Sequence, residues 1–317
     1  MVCHTMSVLL DSQVEAFLHD LSDRGLPPLY RLSLEAARET YRELTVPDEP
    51  VDAVGSVTDR TVPGPAGEIP IRIYAPSGDG PFPPLLFYHG GGWILGDLET
   101  HDALCRALTD ATDCVVVAVD YRLAPEHRFP AALEDCYAAT RWVANNAAAI
   151  GATTDALATC GESAGGTLAA GVALLARDRD GPTIDHQTLL YPPTNYAFDT
   201  DSYEENAQGY FLTREDMKRF WQGYLRSELD GRHPYASPIR ATLEGMPPSL
   251  VVTAGFDPVR DDGRAFVDRL EDAGVPARHL EYDEMIHGFL PMLDDPELDR
   301  AREAIDEVGA AVGGAVR

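Results

Sequence analysis

An α/β fold with a mostly parallel central sheet, helices on both faces and a helical cap is what the sequence predicts, on three observations. Short continuous apolar runs alternate with helical stretches through most of the chain: Leu85 to Tyr88, Cys114 to Val119, Ala156 to Cys160, Thr188 to Tyr191, Ser249 to Ala254 and Ala277 to Tyr282. Strands that are apolar on both sides must be covered on both sides, which is the condition of a parallel sheet between helical layers. Two amphipathic helices precede this rhythm, and it breaks once, between Pro192 and Pro248.

The first elements are helical. Val14, Phe17, Leu18 and Leu21 fall at i, i+3, i+4, i+7, and Gly25 ends that helix; Leu34, Ala37, Tyr41 and Leu44 share a face after the cap residue Ser33. Both helices read as a lid. From Val57 to Tyr74 the period becomes two, with Gly64 to Gly67 as the turn and Ile69, Ile71 and Ile73 on one face, which predicts an antiparallel hairpin. In the interruption, Met217, Phe220, Trp221 and Tyr224 share a face of a helix over Thr213 to Leu225. The predicted division is a first cap segment over residues 1–50, a catalytic core over 51–192 and 246–317, and a second cap insertion over 193–245. That insertion is placed over the carboxyl ends of the strands, where open α/β sheets bind ligands.

With 317 residues, 44% of them apolar, the chain can bury a large core. The 52 acids against 25 bases leave a net charge of −27, a field that repels phosphates and anionic lipid heads, so neither nucleic acid nor a membrane surface is an expected partner. Lys218 is the only lysine. Such an acidic, arginine-based surface is that expected of a protein working in molar salt; codon usage that favours arginine is the bland alternative. Five cysteines, Cys3, Cys105, Cys114, Cys136 and Cys160, include no C-x-x-C pair and read as reduced residues of a cytoplasmic protein. No basic leader opens the sequence and no apolar run reaches 18 residues, so export and a membrane span are not expected. The histidines show no tight ligand spacing, and neither metal nor organic cofactor is expected.

The chemistry concentrates in Gly161-Glu162-Ser163-Ala164-Gly165-Gly166, between an apolar run and a helix-compatible stretch. Gly-x-Ser-x-Gly between strand and helix is a nucleophile elbow, whose flanks must be small because the backbone folds tightly; a glycine-rich turn with a solvent-facing serine is the bland alternative. A nucleophilic serine needs a base and an acid to orient it, placed after it in chain order. His287 lies just after the last strand and Asp257 just after the one before it, at the same end of the sheet as Ser163. Asp261, Asp262, Asp283 and Glu284 compete with Asp257; the first two belong to the next helix and the last two to the loop of His287. His89-Gly90-Gly91-Gly92-Trp93 comes directly after the strand Leu85 to Tyr88 and can present bare backbone to an oxyanion, with Gly91, Gly92 and Ala164 as donors. A flexible turn or a phosphate cradle would also use three glycines, but no Gly-Lys-Ser/Thr comes after them.

These stretches, with Asp120-Tyr121-Arg122-Leu123-Ala124-Pro125-Glu126-His127, Phe129-Pro130-Ala131-Ala132 and Asp257-Pro258-Val259-Arg260-Asp261, resemble the hormone-sensitive-lipase family of α/β-hydrolases, and in particular its bacterial and archaeal carboxylesterases. The resemblance implies the α/β-hydrolase fold, a Ser163, Asp257 and His287 triad, a bracing role for Asp120 to Ala132, a structural place for His89 over the alternative of a direct catalytic role, a small ester of short or medium acyl chain as substrate, and a pairing of two copies through the last strand. Glu162 stands where that family often has aspartate. Trp93, Tyr210, Phe211 and Leu212 are candidate walls of an acyl pocket, or else pack the lid onto the core. An arylamide deacylase or peptidase would use the same three residues, and a non-catalytic ligand receptor of this fold would lack the histidine.

Overall fold

The computed structural model describes residues 9–47 and 52–316. Cys3, the first residues of the predicted cap and its end at 48–50 lie outside them. The chain opens with α1 (Ser12–Arg24), whose first turn is capped by the Asp11 carboxylate and whose end is turned by left-handed Gly25, and α2 (Leu34–Thr45), capped by Ser33. The hairpin β1 (Ser56–Gly64) and β2 (Gly67–Ala75) is next, then β3 (Pro84–Tyr88), α3 (Asp102–Thr112), β4 (Val115–Val119), α4 (Ala131–Asn146), β5 (Ala158–Glu162) and α5 (Ala164–Asp178). The remaining elements are β6 (His186–Leu190), α6 (Asp201–Glu205), α7 (Arg214–Tyr224), β7 (Ser249–Phe256), α8 (Arg260–Asp272), β8 (Ala277–Ile286) and α9 (Asp299–Val316).

The eight strands form one sheet in the order β1-β2-β4-β3-β5-β6-β7-β8. β2 runs antiparallel to both of its neighbours and every pairing from β4 to β8 is parallel. Side chains along each strand alternate between two cores. Leu86 and Tyr88 of β3 face the core that holds α4, α5 and α8, whereas Leu85 and Phe87 face the core that holds α3 and α9. α5 is buried all round from Ala164 to Ala176, and its glycines and alanines let it lie close to both sheet and α4; a Cβ on Gly171 would stand 2.8 Å from Leu133.

β8 runs four residues beyond its predicted end, to Ile286, so Asp283 and Glu284 belong to a strand rather than to a loop. Its register against β7 shifts by a bulge between Ala254 and Phe256, where a Cβ on Gly255 would meet the Asp283 carbonyl at 1.9 Å. Such a bulge bends the strand end and re-aims the residue beyond it, here Asp257. Two chain segments nearly 190 residues apart are tied together above the sheet: the Tyr30 amide donates to Asp216 and Arg219 donates to the Leu29 carbonyl. Among the described residues no helix is long and apolar enough to cross a membrane, and no group of three His, Cys, Asp or Glu is placed to hold a metal ion.

Candidate active site

Ser163 sits at the turn from β5 to α5 with φ 51° and ψ −116°, a conformation L residues rarely adopt. The turn is tight because its neighbours lack side chains. A Cβ on Gly161 would lie 2.0 Å from the Gly165 carbonyl, and one on Gly165 would lie 1.9 Å from that of Tyr88. The strain is held by the Ser163 amide, which donates to the Leu190 carbonyl on β6, and by the close seat of α5. The hydroxyl is thereby lifted to the carboxyl end of the sheet.

His287 reaches this hydroxyl from the segment after β8. Its Nε2 lies 2.8 Å from Ser163 Oγ and its Nδ1 lies 2.7 Å from Asp257 Oδ2. Asp257 is wholly buried, and its other carboxylate oxygen accepts from the Val259 amide at 2.8 Å. An ionised carboxylate only accepts, so Nδ1 carries the proton and Nε2 is free to take one from the serine. Burial disfavours the imidazolium, but the charge and hydrogen bond of Asp257, joined by the charge of Glu162, outweigh it and hold His287 above the ordinary imidazole value.

The His89 to Trp93 loop stands opposite. The N–H groups of Gly91 and Gly92 donate to no group among the described residues, and Ala164, the first residue of α5, has no acceptor within its helix. Three orphan donors therefore border the hydroxyl. Side chains are sterically excluded along this loop: a Cβ on Gly90 would overlap Glu162, one on Gly91 would lie 2.4 Å from the Leu95 carbonyl, and one on Gly92 would lie 2.2 Å from the Phe220 ring. His89 is buried, stacks on Tyr121 at 4.2 Å between centroids and donates from Nδ1 to the Gly90 carbonyl. Burial, with His101 beside it, pushes His89 down to about 3, so it stays neutral. Tyr121 donates its hydroxyl to the His89 carbonyl at 2.7 Å, and the Ala124 amide donates to Trp93, so the Asp120 to Ala132 stretch holds this loop from behind.

Ser163, His287, Gly91 and Gly92 line a cavity of about 550 Å³, with Asp257 buried behind His287. A family model described as the alpha/beta hydrolase fold matches residues 85–291 of the chain. The chain belongs to the α/β-hydrolase fold family. Within it, the chain is 48% identical over 241 residues to the carboxylic ester hydrolase LipN of Mycobacterium tuberculosis, a match that spans 74% of this chain and 64% of that one. It is 42% identical to the esterase LipI of the same organism, over 82% of this chain and 84% of the other. The solved structure of a thermostable esterase from Pseudomonas putida ECU1011 superposes with a TM-score of 0.93 at 37% identity, covering 99% of each chain.

Ser163, Asp257 and His287 stand just past strand ends, and helices from the rest of the chain shape the space above them. Phe211 and Leu212 line the cavity, as does Phe220. Trp93 and Tyr210 do not. Trp93 is wholly buried, stacked on Tyr224 at 4.4 Å and close to Trp221, so it fastens the glycine loop to α7 instead of walling a pocket. Tyr210 packs on Phe256, at 4.9 Å between centroids. Their place in the cavity is taken by Phe17 and Tyr41, from the apolar faces of α1 and α2, and by Leu95. The helical periodicity marks the first two as facing inward; what they face becomes visible only once the helices are seated. Asn206 carries no signal in the sequence, yet its side-chain amide donates to the carbonyls of Gly255 and Asp257 at 3.1 Å and steadies the loop that presents Asp257.

Proposed function

We propose that this protein is a serine carboxylesterase that hydrolyses short- to medium-chain acyl esters through an acyl-enzyme. The observation that carries the reading is the hydrogen-bonded series Ser163, His287, Asp257, at 2.8 and 2.7 Å, opening into a cavity beside the unpaired N–H groups of Gly91 and Gly92. Ser163 Oγ attacks the ester carbonyl while its proton passes to His287 Nε2. Asp257 holds the tautomer and the imidazolium that forms. The negative charge that appears on the former carbonyl oxygen is met by the N–H groups of Gly91, Gly92 and Ala164, each worth about 10²- to 10³-fold in rate.

Collapse of the tetrahedral intermediate breaks the bond to the alcohol oxygen, and His287 returns its proton there so that alcohol departs. Water then adds to the acyl group with His287 again as base, and the acid leaves with Ser163 regenerated. The segments 9–47 and 193–245 act as the cap that encloses the substrate, a role supported by Phe17, Tyr41, Leu212 and Phe220 in the cavity wall. The names of the relatives favour an ester over an amide.

Labelling with a fluorophosphonate and then peptide mapping tests the nucleophile, and modification of any residue other than Ser163 would refute it. A series of nitrophenyl esters tests the acyl length. Turnover is expected to peak at short or medium chains; a maximum on long chains with activation at an oil surface would overturn that part of the reading.

A further inference from the structure

The cavity wall is electrically one-sided. Among the described residues, Asp20, Glu43, Glu162, Asp216, Asp294, Asp295 and Glu297 line it, against a single arginine, Arg24. Arg24 is taken by Asp20 at 2.6 Å, and Glu297 is paired with Arg302 at 3.0 Å. Asp216 is buried and accepts from Tyr30 and Thr213, and Glu162 lies against His101 at 3.5 Å. Glu43, Asp294 and Asp295 remain: they have no basic partner among the described residues and are exposed while still lining the cavity, so they stand at its opening. Aromatic rings also line the cavity, with Phe17 and Phe211 in contact at 5.7 Å.

We propose that this opening selects esters by charge, admitting neutral and cationic ones and disfavouring those whose acyl or alcohol part carries an anion, with Glu43, Asp294 and Asp295 as the selecting residues. The inference rests on the esterase reading and deepens it by naming the substrate class. A substrate ion passing about 10 Å from three carboxylates in water feels each of them, and the effects add; opposite charges are pushed in opposite directions. The ratio of cationic to anionic turnover is then about tenfold at low ionic strength, and near unity in molar salt, where the Debye length is only about 3 Å. The aromatic rings that line the cavity suit a quaternary ammonium, whose charge the ring faces also attract.

The test uses three butyrate esters that release the same acid: choline butyrate, its neutral isostere 3,3-dimethylbutyl butyrate, and 2-sulfoethyl butyrate. Each kcat/KM is divided by the rate constant for alkaline hydrolysis of the same ester, which removes differences in intrinsic reactivity. The expected order is cationic, then neutral, then anionic, with the end members about tenfold apart in dilute buffer and within about twofold in 1 M salt. In the triple variant Glu43→Gln, Asp294→Asn, Asp295→Asn the ratio is expected to fall to near unity, measured at one salt concentration at which both proteins turn over the neutral ester. A normalised ratio near unity in the unaltered protein, or a ratio the triple variant leaves intact, would overturn the proposal while the esterase reading stands. No turnover of any of the three esters would overturn both.

Discussion

Arg38 on α2 donates from Nε to the carbonyl of Ile94 at 2.9 Å, and so fastens the cap directly to the segment that carries Gly91 and Gly92. The same guanidinium donates to the Ala124 carbonyl at 3.1 Å and forms a two-pronged pair with Glu126 at 2.8 and 2.9 Å. The pair with Glu126 is partly exposed and worth little by itself. The two carbonyl bonds contribute about 1 kcal/mol each. Arg38→Ala is therefore expected to cost about 1–2 kcal/mol in thermal or urea unfolding, and about tenfold in kcat because the glycine loop loses its outer brace. A loss of stability with kcat untouched would show that the clamp does not reach the oxyanion donors.

In the proposed mechanism His287 must be neutral at Nε2 to accept the serine proton. Its folded value lies above the ordinary 6.5 because Asp257 and Glu162 overcome the effect of burial, so kcat/KM is expected to rise with pH through a midpoint above 6.5. Asp257→Asn removes the larger supporting charge and should lower that midpoint together with the rate. In stability the sign is the reverse. A raised imidazole value means the contact with Asp257 stabilises the fold fully below the unfolded value and ceases to do so as pH rises through the folded one. Unfolding measured from pH 5 to 8 in unaltered protein and in Asp257→Asn reads both effects; an unshifted rate profile would contradict the coupling.

Gly92 has φ 60° and faces the Phe220 ring at 2.2 Å from where a Cβ would sit. Gly92→Ala thus meets two obstacles, an unfavourable backbone conformation and a clash, and the loop must shift its N–H away from where the proposed mechanism puts the oxyanion. A fall in kcat of about 10²-fold with KM changed much less is expected from steady-state kinetics. An effect confined to KM would place this N–H outside the transition-state contacts.

Ser163 stores strain in its backbone that glycine would not feel. Ser163→Ala and Ser163→Gly should both lose at least about 10⁴-fold in turnover. Their stabilities should differ: relief of φ 51° is worth about 1–3 kcal/mol and glycine's greater unfolded freedom returns about 1 kcal/mol. The glycine variant is expected to unfold about 1 kcal/mol harder than the alanine variant. Equal melting temperatures would mean that the elbow is relaxed.

The strand rhythm, the hairpin and the order Ser163, Asp257, His287 are legible in the sequence because each is a local pattern: a continuous apolar run, a period of two between glycines, a serine set between small residues, and polar residues just past a strand end. Such patterns record what a residue does to its own backbone and which face of its element is apolar. They do not record which distant element that face meets. Trp93 and Tyr210 are as aromatic as Phe211, yet rings from α7 and the end of β7 claim them, while Phe17 and Tyr41, far away in the chain, take the places by the cavity. The bulge that aims Asp257, the brace of Asn206 beneath it and the three unpaired carboxylates at the opening likewise arise from contacts across the chain. Packing of side chains from remote elements decides them, and that competition for space is settled only in three dimensions.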